Sequence, residues 1–422
     1  MNQKILYFLV ILTPIIDTLN GFIIDLGLNS PLGKVYRLIT ILFFLWALIT
    51  NTKLNMKFIF GYLILGYFIV NPLILYLSDQ DIAALKENFD FSYKIFLFLI
   101  SIFAFTKITK NKNIHFINKM ISISEWIVPS TVVIPYFLGI GNNTYLDYAG
   151  NPVGFKAFYF SNNALNVVLI VLLIFSMDQM YKTKGKELFT SGIKFLLILL
   201  SIILIGSKSS LVISAIMGLI YLGLFLKKLS IFKIVISFLA GIIVLFIFRQ
   251  QISDIIQLQF FMIKNNNFLT YLLSGRNGFM NIGFDVFNNN LNIFTLFFGL
   301  GNHEMVSQIG YRLSGLSHYT KGVEMDFFDL YFNMGLMGLS IVLCTMLFFI
   351  IKCRKASRYN PSETRPYKYA FISLLVFSFL GGHVITEAFS ITYFSLVLTG
   401  IYTIVSNEKN NFKQTYKIQR AS

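Results

Sequence analysis

Charged residues are scarce in this chain of 422 residues: only 13% of them are Asp, Glu, Lys or Arg, against about a quarter in ordinary soluble proteins. Hydrophobic residues make up 56%, and the mean hydropathy is +0.69. This balance excludes an ordinary soluble protein. The apolar stretches are continuous and do not alternate as barrel strands do. The sequence therefore predicts an all-α polytopic membrane protein.

Cysteine and histidine are also scarce, with two and four residues. Cys344 falls in an apolar run and Cys353 in a basic stretch, so no extracytoplasmic disulfide is expected. Neither a His-x-x-x-His nor a Cys-x-x-Cys spacing occurs, and no nucleotide-binding motif is present. The sequence thus predicts neither a metal site nor a cofactor.

Long apolar runs dominate what is present. A helix needs about 20 apolar residues to cross a bilayer, and about twelve runs approach that length. They lie near residues 5–24, 35–50, 58–77, 93–106, 120–138, 163–177, 191–206, 209–226, 231–248, 327–350, 368–385 and 389–405. With a cytoplasmic N-terminus, about 24 of the 35 Lys and Arg residues fall on the inner side, as the positive-inside rule requires. The net charge of +16 therefore indicates topology and no nucleic-acid partner. We expect one membrane domain (1–422), in contact with lipid, with both termini cytoplasmic.

Residues 249–326, here called the polar segment, separate predicted spans nine and ten and are expected to form a large extracytoplasmic loop. In it, Ser274-Gly275-Arg276 predicts a turn, capped by Ser274, into a short amphipathic helix. The apolar face of that helix would consist of Phe279, Ile282, Val286 and Phe287. On the membrane surface it would hold Arg276 at headgroup depth, where a guanidinium suits bidentate contact with a diphosphate. The alternative is an arginine that snorkels to ordinary lipid phosphate.

Lys208 lies in a second candidate phosphate site, the turn Gly206-Ser207-Lys208-Ser209-Ser210 between predicted spans seven and eight. Small residues let backbone N–H groups point outward, and the next helix presents its positive N-terminal end. The alternative is a topogenic lysine that closes a tight helical hairpin.

Acidic residues gather where the polar segment meets predicted span ten. Gly322, Asp326, Asp329 and Asn333 follow one another at spacings of 4, 3 and 4. These spacings predict one stripe of a helix facing a polar cavity. The alternative is N-terminal capping by acids, worth about 0.3–1 kcal/mol. It accounts for Glu324 and Asp326 better than for Asp329 and Asn333.

A general base requires a carboxylate or an imidazole near the reacting hydroxyl. Glu324, which faces away from the stripe, and His318, in the adjacent loop, are the first candidates. A lone loop histidine is more often incidental. His383 and Glu387, in the last outer turn, are weaker candidates.

Several motifs, in their order along most of the chain, resemble the O-antigen polymerase/O-antigen ligase superfamily, in particular its Gram-positive capsule and exopolysaccharide members. The motifs are Pro14-Ile15-Ile16-Asp17-Thr18-Leu19-Asn20-Gly21, Gly154-Phe155-Lys156-Ala157-Phe158 before Ser161-Asn162-Asn163, Gly206-Ser207-Lys208-Ser209, Ser274-Gly275-Arg276, Gly299-Leu300-Gly301-Asn302 and Asn333-Met334-Gly335-Leu336-Met337-Gly338-Leu339. Two positions depart from the family pattern: Lys208 stands where many relatives have arginine, and Ala157 replaces a frequent glycine.

The resemblance implies a metal-independent glycosyltransferase of the bacterial cytoplasmic membrane. It would join polyprenyl-diphosphate-linked repeat units into polysaccharide at the outer face, with a flippase and a chain-length regulator as partners. Arg276 and Lys208 would hold the diphosphate. Arg249, Arg312 and Lys156 would support them. Glu324 or His318 would be the base, with Asp326 as a third candidate.

Two other activities stay open at this point. A ligase would transfer the finished glycan to another acceptor, and the chain sequence separates the two branches poorly. A flippase for the same lipid-linked sugar is the alternative from a different class. Transporters typically carry repeats and charges near mid-span, whereas the charges here gather at one edge and in one loop.

Overall fold

The computed structural model describes residues 2–50, 56–109, 114–146, 150–227, 249–265, 267–316 and 318–421, with isolated positions between 235 and 246. Predicted span nine, residues 231–248, lies largely outside the described residues. The first eight helices are α1 (Asn2–Asp25), α2 (Leu32–Ile49), α3 (Met56–Asp79), α4 (Ile82–Ile108), α5 (His115–Leu138), α6 (Asn162–Lys182), α7 (Gly185–Ile205) and α8 (Lys208–Lys227). An antiparallel hairpin of β1 (Asn142–Leu146) and β2 (Pro152–Ala157) connects α5 to α6.

The polar segment also folds into helices. Its helices are α9 (Arg249–Asn265), α10 (Phe268–Leu272), α11 (Arg276–Asn289), α12 (Ile293–Phe298) and α13 (Asn302–Ser314). Three long helices then complete the described chain: α14 (Asp326–Tyr359), α15 (Pro361–Leu380) and α16 (Ala388–Ala421).

The prediction of a helical, polytopic membrane protein is confirmed, but the count of twelve spans is not. In the described part of the chain, nine helices are long and apolar enough to cross a membrane: α1, α2, α4 to α8, α14 and α16. Predicted span eleven was expected to continue to residue 385, yet α15 ends at Leu380, where Gly381 and Gly382 begin a turn. The β1–β2 hairpin was not predicted.

The bundle is built around α6 and α16. In the most apolar stretch of each of these helices, 89% is buried inside the protein. Large side chains on peripheral helices, such as Phe8, Leu38 and Leu219, are exposed, as expected for surfaces that contact lipid. Two buried ion pairs join neighbouring helices: Lys194 lies 2.9 Å from Glu125, and Arg365 lies 2.6 Å from Asp178. Charges enclosed in this way require such partners, because an isolated ion in an apolar interior is costly.

The polar segment packs a small core of its own against the start of α14. The core comprises Val286, Phe287, Met305, Ile309, Val323, Met325 and Phe332. The apolar face of α11 was expected to lie on the membrane surface. Instead Val286 and Phe287 are fully buried in this core, so α11 is held by the protein itself.

α14 is interrupted at Gly335, whose φ of 63° and ψ of −166° lie in a region essentially restricted to glycine. The residues after α12 bond to α14 beside this break: Leu300 N–H donates to the Phe332 carbonyl at 2.9 Å and Gly301 N–H to the Asn333 carbonyl at 3.2 Å. Asn71 on α3 donates to the Phe298 carbonyl at 2.9 Å. The break therefore anchors the polar segment to the bundle.

Gly335→Ala is expected to destabilise the protein by roughly 1–3 kcal/mol, the usual cost of such a backbone conformation. A Cβ at Gly335 would also lie 2.4 Å from the carbonyl carbon of Phe297. The measurement is thermal unfolding of purified protein in detergent. Gly66→Ala is the matched control, because a Cβ there meets nothing within 4 Å and alanine favours a helix. Equal stability of the two variants would contradict this account of the break.

Candidate functional site

Arg276 is presented by the turn that opens α11. Ser274 (φ 55°) and Gly275 (φ 81°) are both left-handed, and Gly275 N–H donates to the Thr270 carbonyl at 2.9 Å. Gly275 is the N-cap residue, and no side chain caps the helix, so the predicted capping by Ser274 is wrong. The turn instead aims the first side chain of α11 at α15 and at Glu324.

The guanidinium of Arg276 is enclosed but weakly bonded. Its side chain is 11% exposed. One Nη donates to the Leu380 carbonyl and the other to Glu324 Oε2, both at 3.4 Å, which is longer than an ordinary hydrogen bond. Nε is buried and has no hydrogen-bond partner among the described residues. A charge so enclosed gains much from an anion that accepts several of its donors.

Glu324 divides its two carboxylate oxygens between two cations. Oε2 faces Arg276, and Oε1 accepts a hydrogen bond from Lys321. Burial raises the pKa of this carboxyl, but Lys321, His383 and Arg276 outweigh that effect and hold the pKa below its usual value. Glu324 is therefore ionised at neutral pH. Both partners of its carboxylate, Arg276 and Lys321, belong to the polar segment.

Lys208 and Tyr145 are both close enough to Arg276 to interact with its charge. Lys208 Nζ donates to the Tyr271 carbonyl and lies 4.1 Å from the centre of the Tyr271 ring. The Tyr145 hydroxyl accepts a hydrogen bond from Asn162 at 3.2 Å, contacts Ser207, and is close enough to Arg276 to feel its charge. Burial raises the pKa of Tyr145, so the phenol stays a donor at neutral pH. Sequence reasoning missed Tyr145, because nothing in its local sequence marks it.

The β1–β2 hairpin reaches this point because Gly154 (φ 73°) packs on the end of α7. A Cβ at Gly154 would lie 2.5 Å from the Ile205 carbonyl oxygen. This close approach places Tyr145 beside the α7–α8 turn. Lys156, on β2 like Gly154, donates to the Phe160 carbonyl at 3.3 Å, and burial lowers the pKa of this lysine.

The turn between α15 and α16 borders Glu324 from the bundle side. A Cβ at Gly382 would lie 2.3 Å from the Glu324 carbonyl oxygen, so this turn and Glu324 are in direct backbone contact. Next to it, Lys94 Nζ lies 3.1 Å and His383 Nδ1 4.0 Å from Glu387 Oε1. Burial raises the pKa of Glu387, but Lys94 and His383 outweigh burial and hold the pKa below its usual value. His383 and Glu387 were only weak candidates in the sequence, and Lys94 was missed.

Asp326 and Asp329 are occupied by bonds to the protein. Asp326 is fully buried and accepts from Ser378 at 2.8 Å, Thr386 at 2.9 Å, and the N–H groups of Val384 and Ile385 at 2.9 and 3.3 Å. Asp329 accepts from the N–H groups of Val323 and Met325 at 3.2 and 3.0 Å.

The predicted acidic stripe is wrong at Gly322, because α14 begins only at Asp326. The buried Asn333 amide donates to Asn302 at 3.4 Å. The cavity-lining role of Asp329 and Asn333 stays a prediction.

Three other predicted site residues lie on exposed surface. Arg249 begins α9, with its guanidinium 5.9 Å from the Phe246 ring. Arg312 is in the last turn of α13, and His318 is in the loop that follows. Their predicted roles stay predictions, since none of their contacts with the described residues reaches Arg276.

Backbone strain is concentrated at this site. Among the described residues, five non-glycine positions have positive φ: Gln80, Ala157, Ser274, Glu324 and His383. Ser274, Glu324 and His383 all adjoin the Arg276 side chain or its partner. Such conformations cost about 1–3 kcal/mol each and tend to persist where function requires them.

In the described part of the chain, no group of three or more His, Cys, Asp or Glu side chains is arranged to hold a metal ion. The arrangement offers instead two clustered cations, a phenol donor and an adjacent ionised carboxylate. Together these groups are suited to bind a diphosphate beside a base.

In comparisons with known proteins, no family model matches the chain and no curated protein matches its sequence.

Proposed function

We propose that this protein polymerises polyprenyl-diphosphate-linked oligosaccharide repeat units at the outer face of the bacterial cytoplasmic membrane. The proposal rests on the surroundings of Arg276. Its guanidinium is nearly buried, its Nε has no hydrogen-bond partner among the described residues, and the ionised carboxylate of Glu324 lies beside it. The resemblance to O-antigen polymerases supports the same activity. In this proposal the termini are cytoplasmic and the polar segment faces outward.

Arg276, Lys208 and Tyr145 form the diphosphate site of this proposal. A diphosphate seated there accepts hydrogen bonds from the guanidinium and the phenol and is neutralised by both cations. The Glu324 carboxylate and the diphosphate then compete for Arg276. Binding of the donor thus weakens the ion pair that lowers the pKa of Glu324 and makes this carboxylate a stronger base.

Transfer follows from that arrangement. The acceptor hydroxyl attacks the anomeric carbon of the donor, and Glu324 takes the hydroxyl proton. The bond between the anomeric carbon and the phosphate oxygen breaks, and its electron pair leaves with the lipid diphosphate, where Arg276 and Lys208 stabilise the charge. Asp326 is a less suitable base, because four donors already hold its carboxylate.

The activity is tested with purified protein in lipid vesicles supplied with lipid-linked repeat units from the producing cell. A polymerase yields chains of two or more repeats on carrier and releases free polyprenyl diphosphate. If repeats leave the carrier only when another acceptor is added, and no longer chain forms on the carrier, the protein is a ligase. Movement of units across the bilayer without bond formation indicates a flippase. Either of these results overturns the proposal.

The dependence of kcat/KM on pH distinguishes the candidate bases, because it reports groups of the free enzyme. A base whose pKa is lowered stays active as the pH falls until that pKa is reached. We therefore expect activity to persist through pH 5 and to be lost only below the usual glutamate value of about 4.3. His318→Asn should leave the profile unchanged. Loss of activity near the histidine value of about 6.5, abolished by His318→Asn, would identify the histidine as the base.

A further inference from the structure

A cleft of about 330 Å³ is lined by Lys321, the residue that pairs with Glu324. It lies between α4, the start of α13 and the loop before α14. Its lining includes Glu87, Asp90, Phe91, Lys94, Thr320 and Lys321. The volume falls at the lower end of the range of about 300–1,000 Å³ typical of small-molecule sites.

Lys321 connects the cleft to the candidate base. Its ammonium group donates to Glu324 Oε1, while Glu324 Oε2 faces Arg276. The carboxylate thus has one oxygen toward the cleft and the other toward the diphosphate site. A hydroxyl that enters from the cleft can approach Oε1 while the diphosphate is bound at Arg276.

The charges of the cleft favour a neutral ligand. Lys94 and Lys321 are already paired, with Glu387 and Glu324. On α4, the helix that also carries Lys94, Glu87 lies 3.1 Å from His303, and Asp90 lies 3.3 Å from Lys34. The two carboxylates and two lysines of the lining balance in charge, so the cleft has no excess positive charge to attract a phosphate. Glu87 and Asp90 can accept hydrogen bonds from sugar hydroxyls. Half-buried Phe91 offers a ring face, on which the C–H face of a sugar can pack.

We infer that this cleft is the acceptor subsite: it binds the terminal, uncharged sugar of the incoming glycan and presents its hydroxyl to Glu324. This inference rests on the proposed function. It assigns Glu87 and Asp90 to recognition of acceptor hydroxyls and leaves the diphosphate to Arg276 and Lys208.

The test uses the vesicle assay with a soluble acceptor, the repeat-unit oligosaccharide released by mild acid from the cell's own lipid carrier. Removing one hydrogen bond to a charged group costs about 1.5–3 kcal/mol. Glu87→Ala and Asp90→Ala should therefore each raise the KM for this saccharide by about tenfold or more. With the soluble saccharide saturating and only its extended product measured, the KM for the lipid-linked donor should stay unchanged. Asp25→Ala, an exposed acid outside the cleft, is the matched control.

The outcomes separate the two claims. If wild-type protein does not form longer chains, the proposed function fails. If it does, but Glu87→Ala and Asp90→Ala leave the KM for the acceptor unchanged or raise only that for the donor, the acceptor subsite is refuted and polymerisation stands. Binding of the same saccharide to wild type and both variants, measured by saturation-transfer NMR, gives a readout independent of turnover. Equal binding in all three proteins also overturns the inference.

Discussion

Arg276→Lys is expected to abolish polymer formation while the protein remains folded and in the membrane. A lysine retains the charge but offers a single donor centre, whereas the guanidinium offers five N–H donors in a rigid plane. The Arg276 guanidinium donates hydrogen bonds to the Leu380 carbonyl and to Glu324. Its Nε is buried and has no hydrogen-bond partner among the described residues. Removing one preorganised donor to a developing anion lowers turnover by roughly 100-fold to 1,000-fold, and this change removes several.

The measurement is the initial rate of chain extension in vesicles, together with the amount of protein recovered after membrane extraction. Arg358→Lys, an exposed residue in the last turn of α14, is the matched control and should behave as wild type. Chain extension near the wild-type rate in Arg276→Lys would rule out a bidentate diphosphate contact.

Glu324→Gln is expected to produce a folded protein whose transfer rate is lower by roughly 100-fold to 10,000-fold, the usual contribution of a general base. The amide keeps the shape of the side chain but cannot take a proton. Because Glu324 has a φ of 61°, which costs a non-glycine residue about 1–2 kcal/mol, Glu324→Gly should be equally inactive yet more stable than Glu324→Gln by about 1 kcal/mol. Both variants lose the same charge, but only Glu324→Gly relieves the positive φ, and it also removes the side-chain amide that Glu324→Gln keeps.

Rates are measured in vesicles and stability by thermal unfolding in detergent. Glu304→Gln, in the first turn of α13, is the control within the polar segment and should retain activity. If Glu324→Gln keeps most of its turnover but unfolds at a lower temperature, Glu324 braces the structure and is not the base.

The sequence predicted the helical class and singled out both Arg276 and Glu324, because unusual polar residues stand out in an apolar chain. It could not predict that they touch, since 48 residues separate them and no local period relates their positions. Lys94 and Tyr145 were missed for the same reason: each joins the site only through packing of α4 or of the β1–β2 hairpin.

Local patterns also misled where tertiary structure overrides them. The spacing of Gly322, Asp326 and Asp329 fits one helical face, yet α14 starts later because Asp329 bonds the N–H groups of Val323 and Met325 and so fixes the preceding loop. The apolar face of α11 is equally compatible with a membrane surface and with a protein core. Only the presence of Met305 and Phe332 opposite it decides between them.

Polymerisation of lipid-linked glycan and the part of Arg276 in it can be tested together in the producing cell. The measurement is a gel profile of lipid-linked and surface glycan from a strain lacking the gene, complemented with wild type or with Arg276→Ala. We expect single repeat units in the deletion strain, a full ladder with wild type, and single units again with Arg276→Ala present at normal abundance. An intact ladder on carrier in the deletion strain, with no glycan attached to the cell, would contradict it and identify a ligase.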